Sequence, residues 1–405
     1  MHITLPTHVK FIIDTLEAAG HEAFIVGGCV RDVLRGVAPK DWDIATNATP
    51  VQAKALFERT IDTGIKHGTI TVLLDKQHYE VTTYRVDGEY LDARRPETVA
   101  FVSNIKEDLS RRDFTINAIA YNPSKGFVDP FDGQGDIKKK IIRCVGEPVC
   151  RFTEDALRML RAVRFAGTTG FEICADVLDA IAALAQNLQY VSPERIREEL
   201  GKLITSGNPR AVGFLQTAGL LPYMLGGVAF GGDMGEIILW LESCPAHEPM
   251  RMALFLHWVN LDLEKVLRGL RFDNKSIKEI GLYVKMLRQP VPESPYGVKQ
   301  VLRHVPRDMF ERLLTLKAIV MPGLALEMDV VREIIKDVFA NGECFTLGGL
   351  AVNGADLAAV GVPKGKVMGD MLEKLLDMVM ENPVLNKRDM LLAQAKLIES
   401  NHDDK

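Results

Sequence analysis

Apolar side chains along the first 145 or so residues switch repeatedly between the spacing of a helix and the alternation of a strand. The pattern predicts an amphipathic helix over residues 9–19, a strand at "AFIVGG", a second at "DWDIAT" and a helix over residues 50–59. "GTITVLLDKQHYEVTTY" alternates on both sides of Asp75 to Gln77 and predicts a hairpin. Past about residue 150 the alternation fades and helical periodicity runs to the end. "SPERIREELGKLI" opens one such helix, with Ser192 at the N-cap and Pro193 at the first helical position. The expected architecture is α+β: a mixed head followed by a helical extension.

Within the head, "GGCVRDVLRGVAPKDWDIAT" joins two glycines, an arginine and two carboxylates. On a strand, Asp41 and Asp43 share a face, and carboxylates held that close repel unless a cation lies between them. Oxygen ligands on a short rigid element suit Mg²⁺, which takes the rest of its shell from water and substrate phosphates. Gly27 and Gly28 can bring backbone N–H groups against those phosphates, because no Cβ intervenes, with Arg31 as a further partner. The plainer alternatives are a solvated strand end and an ordinary turn. Glu80 falls on a strand expected beside the Asp41/Asp43 strand, either as a third carboxylate of the site or as one member of a surface pair.

A length of 405 residues allows two to four domains, and 47% hydrophobic with 25% charged residues is ordinary for a globular chain. No apolar run approaches a membrane span, the N-terminus lacks a signal-peptide layout, and the six cysteines form no CxxC pair. A cytoplasmic protein with reduced thiols is expected. The net charge of −5 excludes a wholly basic surface but not a local nucleic-acid groove. Residues 138–164 carry eight basic side chains against three acidic ones.

Two further stretches lie near or in that region. In "RRDFTINAIA", Arg111 and Arg112 read as the basic first turn of a helix that wants an anion, and Asp113 and Asn117, one turn apart, could reach ribose hydroxyls. In "RFTEDALRMLRAVRFAG", Asp155, Arg158, Arg161 and Arg164 recur every third residue on one helix, with Leu157, Leu160 and Phe165 toward the core. Asp155 and Arg158 could be a surface ion pair or a protein template. Cytosine and adenine both offer an exocyclic amino donor beside a ring-nitrogen acceptor, which a carboxylate and a guanidinium match; uracil and guanine offer the reverse.

Taken in order, "GGCVRDVLRG", "DWDIAT", "YEVTTYRVDGEYLDARRP", "EDLSRRDFTINAIAYN", "VDPFDG", "RFTEDALRMLRAVRF" and "SPERIREELGKL" closely resemble the bacterial class II tRNA nucleotidyltransferases, CCA-adding enzymes of the tRNA nucleotidyltransferase/poly(A) polymerase family. The motifs span about residues 24–203, and "LAVNGADLAAVGVPKGKVMGDMLEKLLDMVMENPVLN" resembles the tail of the family's shorter members. The resemblance implies a polymerase-β-like nucleotidyltransferase head at 1–145, then an all-α neck at 146–205, body at 206–285 and tail at 286–405. It implies template-independent addition of CCA to the tRNA 3′ end from CTP and ATP, with Mg²⁺ on Asp41 and Asp43 as the catalytic carboxylates. Gly28 and Arg31 would hold the triphosphate, Arg112 would meet the nucleotide, and Asp155 and Arg158 would read the base, braced by Glu154. Arg161 and Arg164 would complete the nucleotide site. The loop "RVDGEYLDARRP" would help the switch from C to A. An enzyme adding only the terminal A, or a poly(A) polymerase, would use the same head, and no histidine-aspartate phosphohydrolase module is expected.

Overall fold

The computed structural model describes residues 2–88, 99–228, 230–259 and 263–403. Most of the loop expected at residues 85–96 lies outside them. The chain divides into two compact units, Met1–Glu242 with Ala246–Ile277, and Ser243–Pro245 with Lys278–Lys405.

The first unit contains strands β1 (Ala23–Val26), β2 (Ile44–Thr46), β3 (Thr60–Gly64), β4 (Thr69–Leu74), β5 (Gln77–Thr83), β6 (Arg85–Asp87), β7 (Val99–Phe101), β8 (Ala120–Asn122) and β9 (Gly126–Val128). Seven of them form one sheet in the order β3-β4-β5-β2-β1-β8-β9, while β6 and β7 make a separate ribbon. Within the sheet only β2 and β5 run parallel. Every residue of β1 is buried, as a central strand covered on both faces must be. Phe24, Val26, Ala45 and Ala120 from the sheet pack with Tyr84, Leu109 and Val145.

The predicted hairpin is β4–β5, turning on Asp75 and Lys76, one residue tighter than expected. Both turn residues have positive φ (46° and 64°), the combination whose twist matches the strands it joins. The helix expected over 50–59 ends at Ala55; it begins at Pro50 behind a capping box between Thr49 and Gln52. The predicted helix over 9–19 is Thr7–Ala18.

Three expectations need correction. "DWDIAT" is strand only from Ile44, so Asp41 and Asp43 stand just ahead of β2. Arg111 and Arg112 follow the C-terminal end of a helix, Ile105–Ser110, instead of opening one, and residues Thr115–Asn117 make a single 3₁₀ turn. At that end basic side chains are already favoured by the helix dipole. The helix expected through Asp155 is two helices, Pro148–Glu154 and Leu157–Thr169, because Asp155 is extended (φ −143°, ψ 103°).

Beyond residue 150 the only described strand is Glu172–Ile173, paired with Ile141–Ile142. Ser192 is the N-cap of Pro193–Ile204 as predicted, although its side chain makes no capping bond. The second unit is helical, built around Leu357, Leu375, Leu376, Val379 and Leu391. No described helix is long and apolar enough to cross a membrane.

Candidate active site

Antiparallel pairing sets the C-terminal end of β1 beside the N-terminal end of β2, with Ile25 opposite Ile44. The ladder continues one step further, where the Val26 N–H donates to the Asp43 carbonyl at 3.0 Å. The glycine turn and the two aspartates, separated by twelve residues or more in the chain, thus meet at one end of the sheet. On the other side of β2, Ile44 pairs with Val81 of β5, which brings Glu80 level with Asp43. These groups open into a cavity of about 720 Å³.

Gly27 has φ 74° and precedes the helix Gly28–Leu34. The backbone conformation requires glycine, and a Cβ here, 2.8 Å from an Arg112 guanidinium nitrogen, would also have to push that side chain away from Asp108. Gly36 shares the positive φ but has nothing within 4 Å. Gly27→Ala is therefore expected to lose about 2–3 kcal/mol of stability and Gly36→Ala about 1 kcal/mol, as compared by urea unfolding. Equal losses would mean that Arg112 moves aside freely.

Asp43 faces the cavity but is crowded by protein, which raises its carboxyl above the ordinary range. Arg112 draws it back down; Glu80 and then Asp41 push it up again. Among the described residues no ready-made group of three or more metal-binding side chains occurs. Two carboxylates in a negative corner, with room beside them, fit a cation that completes its shell from phosphates and water.

Facing the carboxylates is a wall of arginines, each oriented by an acid. Arg31 pairs with Asp32 at 2.9 Å and donates to Asn117 Oδ1 at 2.7 Å. Arg111 and Arg112 share the buried Asp108 at 2.7 and 3.1 Å. Burial pushes the Asp108 carboxyl up, but the two arginines outweigh it and hold it below the usual range. Arg161 reaches Asp113 at 2.7 Å, and Arg164 reaches Glu199 at 2.8 Å. Asp113 and Asn117, expected to be available to ribose, are largely buried and bonded to each other at 3.2 Å, and both line the cavity.

Asp155 occupies the break between the two helices, accepts from the Leu157 N–H at 3.1 Å and is gripped by Arg195 at 2.7 and 3.3 Å. Arg158 is held by Glu154 at 2.5 Å, as the expected brace requires, and donates to the Arg111 carbonyl at 3.0 Å. The predicted residues Gly28, Arg31, Asp41, Asp43, Arg112, Asp155, Arg158, Arg161 and Arg164, together with Glu80, all line the one cavity.

Arg195 and Lys202 also line it, and Glu199 on the same helix orients Arg164; the sequence reading assigns a role to none of them. Their i, i+4, i+7 spacing, on the stripe beside the buried Ile196, Leu200 and Leu203, is the signal that would have found them. Phe165, read as core, is buried and lines the cavity as well.

Three family descriptions match in succession: the poly A polymerase head domain over residues 23–143, an RNA and SrmB-binding site of polymerase A over 170–229, and tRNA nucleotidyltransferase domain 2 over 246–395. The CCA-adding enzyme of Geobacillus thermodenitrificans is 38% identical over 392 residues, 94% of each chain. That of Lactiplantibacillus plantarum is 37% identical over 399 residues, 96% of this chain and 95% of the other. Among solved structures, the Bacillus stearothermophilus CCA-adding enzyme in complex with CTP superposes with a TM-score of 0.84 at 32% identity, covering 99% of this chain and 100% of that one.

Proposed function

The chain belongs to the family of CCA-adding tRNA nucleotidyltransferases, and on that footing we propose that it adds C, C and A in turn to the 3′ end of tRNA, using CTP and ATP and releasing pyrophosphate. Its head is a polymerase-β-like nucleotidyltransferase domain. The observation that carries the reading is that acidic corner, glycine turn, arginine wall and Asp155/Arg158 pair converge on a single cavity.

In this reading Gly28 and Arg31 hold the triphosphate with Arg161 and Arg164, and Arg112 meets the nucleotide. Asp41 and Asp43 hold Mg²⁺, with Glu80 behind them. When bound, that cation lowers the pKa of the tRNA 3′-hydroxyl and screens charge on the phosphates. The 3′-oxygen bonds to the α-phosphorus while the bond to the bridging oxygen breaks, and the arginines stabilise the charge that gathers on pyrophosphate. Because Arg31, Arg112, Arg161 and Arg164 are each already held by a carboxylate, little reorganisation is needed as that charge develops. Asp155 accepts from the exocyclic amino group of C or A, and Arg158 donates to the ring nitrogen. Arg195 and Glu154 keep these two groups oriented.

The remaining proposals concern organisation: a head at 1–145, neck at 146–205, body at 206–285 and tRNA-contacting tail at 286–405, in a protein working in the cytoplasm. Loop 85–96 is proposed to assist the change from C to A.

Asp155→Ala is expected to relax discrimination against UTP and GTP by about ten- to a hundredfold, in both the C and the A steps, since one reader serves both bases. Single-nucleotide incorporation measures it; a variant that is slower but equally selective would make Asp155 structural. The reaction itself is tested with tRNA lacking all three terminal nucleotides and with CTP and ATP supplied separately and together. Addition of C, C and A followed by a halt is expected. Extension only of tRNA already ending in CC would indicate an A-adding enzyme, and long A tails on general RNA a poly(A) polymerase.

A further inference from the structure

Three guanidiniums assigned above to the triphosphate approach one aromatic ring. Their central carbons lie 5.1 Å (Arg31), 5.4 Å (Arg161) and 3.6 Å (Arg164) from the centroid of Phe165. Arg31 comes from the helix Gly28–Leu34, and the other two from the helix Leu157–Thr169 that also carries Phe165. The ring is only 3% exposed, so it offers no open face on which a base could stack. Phe114, fully buried, meets it edge-on at 5.7 Å and 80°, wedging it from the interior.

Like charges brought this close repel, and Asp32, Asp113 and Glu199 offset the repulsion. A carboxylate, however, engages the edge of a guanidinium through its N–H groups and leaves the plane free to tilt about that edge. An aromatic face attracts the cation perpendicular to the ring and so restrains the tilt. The carboxylates therefore set where the charges sit, and the ring sets how their faces lie.

Resting on the nucleotide reading of this cavity, we propose that Phe165 is a positioning residue for the triphosphate, the shared platform that aligns Arg31, Arg161 and Arg164. Its effect falls on the part common to all nucleotides. It alters affinity for CTP and ATP alike and leaves base choice, which lies with Asp155 and Arg158, unchanged. Leucine and methionine fill comparable volume without a π-face, whereas tyrosine keeps the face.

The test compares Phe165→Leu, Phe165→Met and Phe165→Tyr in the full chain. Binding of inorganic tripolyphosphate is measured by calorimetry, together with KM and kcat for CTP and ATP and the preference for CTP over UTP. For the leucine and methionine variants, tripolyphosphate affinity is expected to weaken about tenfold, with KM for both nucleotides rising in parallel. Their kcat is expected to fall alongside, because the same arginines stabilise the leaving pyrophosphate, while their CTP preference should stay close to the parent value and the tyrosine variant should resemble the parent throughout. Parent-like affinity in both non-aromatic variants would overturn the proposal. So would equal weakening in all three, which would mark Phe165 as packing only, or a fall in kcat at constant KM. A parent enzyme that binds neither CTP nor tripolyphosphate would overturn the nucleotide reading and this inference with it; a parent that binds both, with unaltered variants, overturns this inference alone.

Discussion

Asp41→Asn or Asp43→Asn is expected to lower both C and A addition by at least about a thousandfold, the scale at which loss of several kcal/mol of charge stabilisation registers in a rate. The amide keeps the shape of the side chain and loses the negative charge that holds the cation. Binding of tRNA should be nearly unchanged, because most of that affinity comes from phosphate contacts distributed over a large surface. The fold should not suffer either, and Asp43 shows why. Crowding by surrounding protein, then Glu80 and Asp41, raises its carboxyl, with Arg112 only partly compensating; because the side chain still opens to solvent, its ionised form is only mildly disfavoured in the folded state. A carboxyl whose folded pKa lies above its unfolded value costs stability at pH values above that range, and the cost disappears on acidification as the group protonates. Asp43→Asn removes the cost, so at neutral pH the variant should melt at or above the parent temperature, and at low pH the two should converge. Single-turnover incorporation, tRNA binding and thermal unfolding across pH check the three parts. Residual turnover within tenfold of the parent would sink the metal assignment.

The opposite stability effect is expected at Asp113. Burial raises its carboxyl, but Arg161, the Asn117 amide and Arg158 together outweigh this and hold it well below the usual carboxylate range. Asp113→Ala leaves the partly buried Arg161 guanidinium with Glu199, 3.9 Å away, and the charge of Asp155 as compensation. Because a third of the Arg161 side chain reaches solvent, the loss is expected to be about 1–2 kcal/mol, below that of a fully buried pair. A depressed carboxylate contributes stability that is complete above its unfolded pKa, near 4, and is lost as pH falls through its folded pKa. The gap between parent and variant should therefore be full at pH 7 and narrow below about pH 4. Denaturant unfolding at a series of pH values measures it; a gap that is absent at neutral pH, or that persists unchanged in acid, contradicts the account.

The two aspartates behave oppositely because of their neighbours, and this marks how far a reading of the sequence reaches. Local features were legible where the interaction that decides them is itself local. The β4–β5 hairpin follows from alternation on either side of a turn, and the helix from Pro193 follows from Ser192-Pro193. The glycine turn at Gly27 and the acidic pair at Asp41 and Asp43 were recognisable because their residue types are costly anywhere else. Failures came where a distant partner intervenes. Nothing within four residues of Asp155 breaks the helical pattern; Arg195, forty positions on, grips its carboxylate where the helix is interrupted. Arg112 is the exception, since its partner Asp108 is only four residues away; what the pattern hid there is that the helix ends at Ser110 and does not begin at Arg111. Phe165 read as core because an apolar residue on a buried stripe signals burial and nothing about the cations that crowd it.

From the sequence alone, then, came the alternation of elements in the head, the helical character of the rest of the chain, the family and the identity of the residues that could carry its chemistry. Those properties depend on residue type and short spacing, which the chain carries whether folded or not. The tertiary structure alone decided which carboxylates stay charged, which arginines are held ready by Asp108, Asp113 and Glu199, and that Arg195, Lys202 and Phe165 belong to the same cavity. Charge state and orientation depend on burial and on partners that, Asp108 apart, lie tens of residues away, and both come into existence only when the sheet and the helices close around a common space.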